Sequence, residues 1–198
     1  MRPKTKPRWL RLLISVMPLF MLPTVPAVAQ SAYVSVARDY VETNVKSLLD
    51  NPMVTAMIAT QNARTANLKR ADLESLDRTW RAEAISGNWH LIRQLLSNPL
   101  SQLLKAKQRD SQGIITEIFV MDARGLNVAQ STVTADYWQG DEEKYLMTIA
   151  SHSSGIVVDR AERDESTQCL QTQASFTIDD EKGAPIGAVT VTICLDAL

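Results

Sequence analysis

Asp136, Tyr137, Trp138 and Gln139 stand in a row, and Lys144 follows five residues after Gln139. These residue types suit recognition of a small molecule. Tyr and Trp each join an apolar ring to a polar handle, and Gln139 adds two donors and an acceptor. Lys144 would meet an anionic group. The same residues also suit a structural loop, in which Trp138 fills the core, Asp136 caps a turn and Gly140 lets the chain bend; both roles are open to them. Lys144 is equally open to solvation or to pairing with a carboxylate. Asp141, Glu142 and Glu143 favour the N-terminus of a following helix through its dipole.

Other chemistries lack their parts. His90 and His152 are far apart, and neither has partners at metal-ligand spacing. Ser151, Ser153 and Ser154 surround His152 without a G-x-S-x-G elbow. No nucleophile–base pair, metal set or phosphate loop points to an enzyme, and no cofactor is implied. Trp80 and Trp89 read as core fillers. The run from Asp159 to Glu165 mixes signs and reads as a solvated loop.

The first residues read as a targeting segment. Arg2, Lys4, Lys6, Arg8 and Arg11 precede a short apolar stretch from Leu10 to Leu22, and Ala27-Val28-Ala29 supplies small residues before a cut. Cleavage is expected between Ala29 and Gln30. An uncleaved anchor is the alternative, because the apolar run from Trp9 to Val28 is nearly long enough to span a bilayer. Of the 198 residues, 29 would be lost, with five of the 21 basic side chains and none of the 22 acidic ones; 169 residues and a charge of −6 remain. That is enough chain for one domain with its own core. An acidic domain lacks the basic footprint of a nucleic-acid binder. The expected location is therefore periplasmic, with residues 1–29 as signal and 30–198 as a single domain.

The elements that must hold these side chains divide at residue 113. Before it, helical periodicity dominates. Val34, Ala37, Val41, Val45 and Leu48 share one face of a helix from Tyr33 to Asp50. Asn51-Pro52 interrupts it, and Met53 to Ala59 resumes it, while Thr60 to Lys69 is ambiguous. Asp72 is expected to cap a helix carrying Leu73, Leu76 and Trp80, ended by Ser86-Gly87-Asn88. Trp89 to Leu96 gives a short helix, and Asn98-Pro99 opens another through Lys107. After residue 113 the pattern is strand-rich. Strands are expected at Ile114–Met121, Leu126–Ser131, Gly155–Asp159, Gln168–Ile178 and Ile186–Leu195. Asp122 and Gly125 shape a tight turn between the first two. Asp141 to Ala150 is helical, with Tyr145, Leu146 and Ile149 able to face the core. The fold class is α+β: a five-stranded antiparallel sheet with a long N-terminal helix and further helices on one face.

The cysteines test the last hairpin. If Cys169 and Cys194 pair directly, the turn is centred between Glu181 and Lys182, inside the turn-forming run Asp179 to Pro185. A cross-strand disulfide follows in an oxidising compartment. Two reduced, buried thiols facing each other are the alternative.

These elements, in this order, carry a resemblance. The chain resembles a single Cache domain, the extracytoplasmic relative of PAS domains. The residues that carry it are Leu76-Asp77-Arg78-Thr79-Trp80, then Ile118-Phe119-Val120-Met121-Asp122-Ala123-Arg124-Gly125, Val128-Ala129-Gln130-Ser131, Asp136 to Glu142, and the closing Pro185-Ile186-Gly187-Ala188-Val189-Thr190-Val191. The resemblance implies a ligand-sensing fold outside the cytoplasm, often for carboxylates, amino acids or similar metabolites. Family members are usually fused to an output module, whereas this sequence ends at Leu198. The expected function is thus a sensor that relays occupancy to a membrane receptor or kinase partner, with a homodimer possible. The second hypothesis is a non-binding scaffold whose N-terminal helix, Tyr33 to Leu49, forms the contact surface; an exposed stripe of Val34, Val41 and Leu48 would favour it.

Overall fold

The computed structural model describes residues 27–151 and 155–198. The basic start and most of the apolar run of the targeting segment lie outside the described residues, as do His152, Ser153 and Ser154. Ala29 and Gln30 lie in the first turn of helix α1 (Ala27–Asn44). No helix among the described residues is long and apolar enough to cross a membrane.

Helix α1 and the short α2 (Lys46–Leu49) lay Ala37, Val41, Val45 and Leu49 against the sheet, all buried. The Asn51 side chain accepts a hydrogen bond from the Met53 amide at 2.9 Å, with Pro52 in the first turn, and so starts α3 (Pro52–Thr65). This helix runs six residues beyond Ala59. Its last turns lack an apolar stripe because their inward residues are polar. Asn62 donates to the Ile186 carbonyl at 2.7 Å, and Thr65 donates to the Asp122 carboxylate at 2.9 Å.

Helix α4 (Arg70–Ser86) starts three residues earlier than a cap at Asp72 implies. Asp72 is not its N-cap; it sits at the third helical position and accepts the Lys69 amide at 2.8 Å. A carboxylate there satisfies a free N–H and faces the positive end of the helix, which is why the residue type signalled a start without marking its first residue. Gly87 ends the helix at φ +73°, a left-handed conformation suited to glycine. Helix α5 (Leu91–Leu96) and helix α6 (Pro99–Asp110) follow, and Asn98 caps α6 by accepting the Ser101 amide at 2.8 Å.

The strands are β1 (Ile115–Asp122), β2 (Asn127–Gln130), β3 (Val157–Val158), β4 (Glu162–Arg163), β5 (Leu170–Asp179) and β6 (Pro185–Cys194). They form one antiparallel sheet ordered β2-β1-β6-β5, with β3 and β4 both paired to the outer side of β5. Strand β4 is one more than expected. Its two side chains remain exposed, so the solvated character of that run hid a backbone ladder from the sequence pattern. Between β2 and β3, α7 (Glu143–Tyr145) passes into a π-helical turn over Leu146–Ala150. The wider turn changes which residues face inward: Ile149 is buried, but Leu146 is 48% exposed and does not join the core.

Cys169 and Cys194 are bonded, with Cα atoms 5.7 Å apart. The register differs from the expected one. Gln171, not Cys169, sits opposite Cys194, and Thr177 pairs with Ala188, which centres the hairpin between Lys182 and Gly183. The shift comes from the turn: the Asp180 carboxylate accepts the amides of Lys182 and Ala184, both at 2.9 Å, and Gly183 takes φ +78°. Cys169 therefore reaches Cys194 from just outside the start of β5.

One face of the sheet carries the main core. Ile118 and Val120 of β1, Val189 and Val191 of β6, and Ala174 and Phe176 of β5 pack with α1, α3 and α6. Contact is closest at Gly187, where an added Cβ would lie 2.5 Å from the Met121 carbonyl oxygen and 3.0 Å from Ile58 of α3. Gly187→Ala should lower stability by roughly 1–3 kcal/mol, because overpacking must push α3 or β1 aside. Denaturant unfolding reads this directly, and an unchanged midpoint would show that the helix yields freely.

Candidate functional site on the polar face of the sheet

In an antiparallel sheet, directly opposed residues share a face. The register therefore fixes what lies opposite the main core. Phe119 pairs with Gln130 on one side and Thr190 on the other, and Thr190 pairs with Ser175. Glu117 pairs with Thr192, and Thr192 with Gln173. Met121 pairs with Asn127 and Ala188. A face meant only for packing would be apolar along these rows. This one carries Glu117, Asn127, Gln130, Gln173, Ser175, Thr190 and Thr192.

Part of that polarity is satisfied internally. The hydroxyls of Ser175 and Thr190 meet at 2.9 Å, and the Asn127 amide donates to Gln130 and Thr134 at 3.1 and 3.0 Å. Among the described residues, three buried side-chain atoms have no hydrogen-bond partner: Asn127 Oδ1, Gln130 Nε2 and Thr192 Oγ1. All three belong to this face. Buried polar groups are ordinarily paired, so their concentration on one surface sets it apart from core.

The cover is partial. Tyr145 and Ile149 pack on Phe119, Met121 and Ala188 over one half, and the Tyr145 hydroxyl donates to the Ala123 carbonyl at 3.0 Å. Over the other half lies a recess of about 710 Å³ floored by Gln171, Gln173 and Thr192. Its rim holds six carboxylates and three cations. Two of the cations are engaged: Arg160 lies 3.7 Å from Glu162 and Arg163 lies 3.5 Å from Asp196. Lys144 is the third, with its ammonium 5.6 Å from the centre of the Phe119 ring. The hydroxyls of Ser166 and Thr167 and the Thr167 amide hold the rim carboxylate Asp164 down at about 2. Beside the recess, Glu117 is pushed above the usual carboxylate range by burial, against the opposing pull of Lys144 and a hydrogen bond from Thr132. Shape and charge here suit a small polar molecule with at least one protonated nitrogen.

The expected site residues divide between two places. Lys144 stands at this recess. Asp136, Tyr137, Trp138 and Gln139 lie in the loop that joins β2 to α7, on the side of helices α4 and α5. Asp77 of α4 grips that loop: its carboxylate accepts the amides of Tyr137 and Trp138 at 2.8 and 3.1 Å. Arg81 pairs with Asp77 and also with Asp136, the latter at 2.9 Å. Trp138 donates to the Arg124 carbonyl at 2.8 Å, and Gln139 donates to the Asp136 carbonyl at 2.7 Å. Tyr137 stacks on Trp80 with ring centres 5.4 Å apart. The polar groups of Asp136, Trp138 and Gln139 are thus turned to the protein's own backbone and side chains. The residues that sequence reasoning did not single out are Glu117, Gln173 and Thr192. Polar residues at alternate positions of three long strands are the signal for them, visible once the strands are paired.

No family model matches the chain, and no curated protein matches it. Solved structures do. An extracellular ligand-binding receptor from Desulfohalobium retbaense shares 17% identity over 70% of this chain and 24% of its own, with a TM-score of 0.37. The sensory domain of the Campylobacter jejuni chemoreceptor Tlp3 shares 17% over 86% of this chain and 65% of its own, at 0.38. The Escherichia coli DcuS sensor domain shares 15% over 64% and 88%, at 0.39. The last two are described as sensory or sensor domains. The chain spans about a quarter of the length of the first of these and about two thirds of the second.

Two measurements probe this geometry. Because the folded state holds the Glu117 proton more tightly than the unfolded chain, its contribution is full in acid and is lost as pH rises through its raised value. Glu117→Gln should therefore be more stable than the parent near pH 7, with the advantage shrinking toward about pH 4. Denaturant midpoints at several pH values check it, and an advantage that grows in acid would reverse the sign. Asp77→Ala should cost about 3 kcal/mol, since it strands two buried amides; a loss well below 1 kcal/mol in urea unfolding would show that the loop is held elsewhere.

Proposed function

We propose that this protein is a small-molecule-binding sensor module of the Cache type that works outside the cytoplasm and acts by occupancy rather than turnover. The observation that carries this reading is the polar sheet face, with the buried Thr192 hydroxyl left without a partner at the floor of an open recess. The ligand is a small amine-bearing metabolite such as an amino acid. Its ammonium group meets the carboxylate-rich rim, its carboxylate meets Lys144, and Thr192 and Gln173 complete its hydrogen bonds. Among the loop residues, Asp136, Trp138 and Gln139 serve the site indirectly, by fixing the chain that leads into α7. Occupancy draws on Tyr145 and the π turn, and a membrane receptor or kinase reads that change. Export with cleavage between Ala29 and Gln30 would place the Cys169–Cys194 bond in an oxidising compartment, where such bonds persist.

An exposed stripe of Val34, Val41 and Leu48 would favour the scaffold reading. Val41 is fully buried against the sheet, and Val34 and Leu48 are half-buried. That stripe faces inward, which favours the ligand-binding reading.

Thermal unfolding of the oxidised protein with L-amino acids, amines and dicarboxylates tests the proposal. A ligand at about 100 times its dissociation constant should add roughly 2.7 kcal/mol, a shift of several degrees. Amino acids or amines should produce it, and both Lys144→Ala and Thr192→Val should reduce it. A response to no class, or one unaffected by both substitutions, would remove this site from consideration.

A further inference from the structure

The side of the sheet opposite the polar face has a recess of its own. Helices α3, α4 and α5, the end of the Asp122–Gly125 turn and strand β2 enclose a cleft of about 420 Å³. Its walls are mainly apolar, with Met57, Leu68, Leu76, Leu91, Leu95 and Val128 contributing. Cavities of this size and lining, with a few converging polar groups, are the usual form of a small-molecule site.

Three of its polar side chains, Arg64, Gln94 and Tyr137, have no hydrogen-bond or ion-pair partner among the described residues. Arg64 stands on the same helical face as Met57 and Gln61 and lines the cleft, and it forms no ion pair among the described residues. No Asp or Glu lines the cleft beside it. Tyr137 is 8% exposed, and its hydroxyl has no hydrogen-bond partner among the described residues. The ring cannot swing away to find one, because it stacks on the fully buried Trp80 and its own amide is held by Asp77. Burial and the nearby Asp122 charge push the phenol up to about 12, so at neutral pH it is a donor. Gln61, by contrast, is spent on Asp122 and on the carbonyls of Leu126 and Asn127, each at 3.2 Å.

We infer that this cleft is a second binding site, for a small monocarboxylate with an apolar tail. The tail lies along the leucines of α4 and α5. The carboxylate accepts from the Arg64 guanidinium and the Tyr137 hydroxyl. A cationic or strongly polar molecule is disfavoured, because Arg64 brings a positive charge to the rim and the walls are mainly apolar. The site is independent of the amine-binding recess: the two lie on opposite faces of the sheet and share no residue. It also gives Tyr137 a ligand contact separate from the role of its loop neighbours.

Isothermal titration of the whole oxidised protein with octanoate tests this, with octylamine as the matched cation. Octanoate should bind saturably at one site, and octylamine at least tenfold more weakly. Arg64→Glu should weaken octanoate about tenfold or more, and Tyr137→Phe several-fold, as expected for losing a charge-assisted and a neutral hydrogen bond. Arg64 is exposed and Tyr137→Phe keeps the stacked ring, so both variants fold. Lys144→Ala should leave octanoate affinity unchanged, which separates this site from the one on the polar face. Absence of saturable binding, equal affinity for octylamine, indifference to either cleft substitution, or loss in Lys144→Ala would each overturn the assignment.

Discussion

The buried carboxylate of Asp122 is the constraint on which the rest of the structure leans. It is fully inaccessible, yet it collects four donors: the amides of Arg124 and Leu126, the Gln61 amide group and the Thr65 hydroxyl. The first two bend β1 back into β2. The second two draw the end of α3 onto that bend. Desolvation still wins over these bonds and pushes the carboxyl above its usual range, so the turn holds a charge that is expensive to keep and more expensive to leave unpaired. Arg124, carried on the same turn, sends its guanidinium to the carbonyl of Leu68 at 2.8 Å and so closes off the chain leaving α3. One short turn thereby fixes a helix end, a strand pair and the loop that packs beneath it.

From that turn the two faces of the sheet part company. The face toward α1, α3 and α6 carries the main apolar core. The other face is only half covered, by a three-residue helix and a π turn. It retains polar side chains whose pairing within the protein is incomplete. A fold pays for such a surface somewhere, and the disulfide and the long β5–β6 hairpin, ten residues on each strand, supply rigidity where the cover is thin.

Much of this was legible in the residues, and the failures have physical causes. The helical and strand-rich halves, the break at Asn51-Pro52, the Asn98 cap and the Cys169–Cys194 bond all follow from local chemistry, which is short-ranged and visible in a window of a few residues. The end of α3 was not legible, because Gln61, Asn62 and Thr65 face inward to satisfy a turn sixty residues away. Strand β4 was hidden because its backbone pairs while its side chains stay in water. For the candidate site, Lys144 could be named from type and position. Glu117, Gln173 and Thr192 could not, since only the register of three strands brings them onto one surface. The hairpin register itself depended on Asp180 capturing two amides, a choice that turn composition alone leaves open.

Gly125 and Gly140 carry a different kind of consequence. Gly125 takes φ +82°, and a Cβ there would sit 2.6 Å from the backbone of Gly140. A Cβ on Gly140 would run into the Trp138 ring and the Arg124 carbonyl. Each position therefore forbids a side chain for reasons that replacing the other does not remove. In evolutionary terms the pair is an isolated point. No single substitution at either residue is neutral, and no second change within the pair compensates the first. This crossing of two loops can change only if the loop containing Trp138 is rebuilt with it.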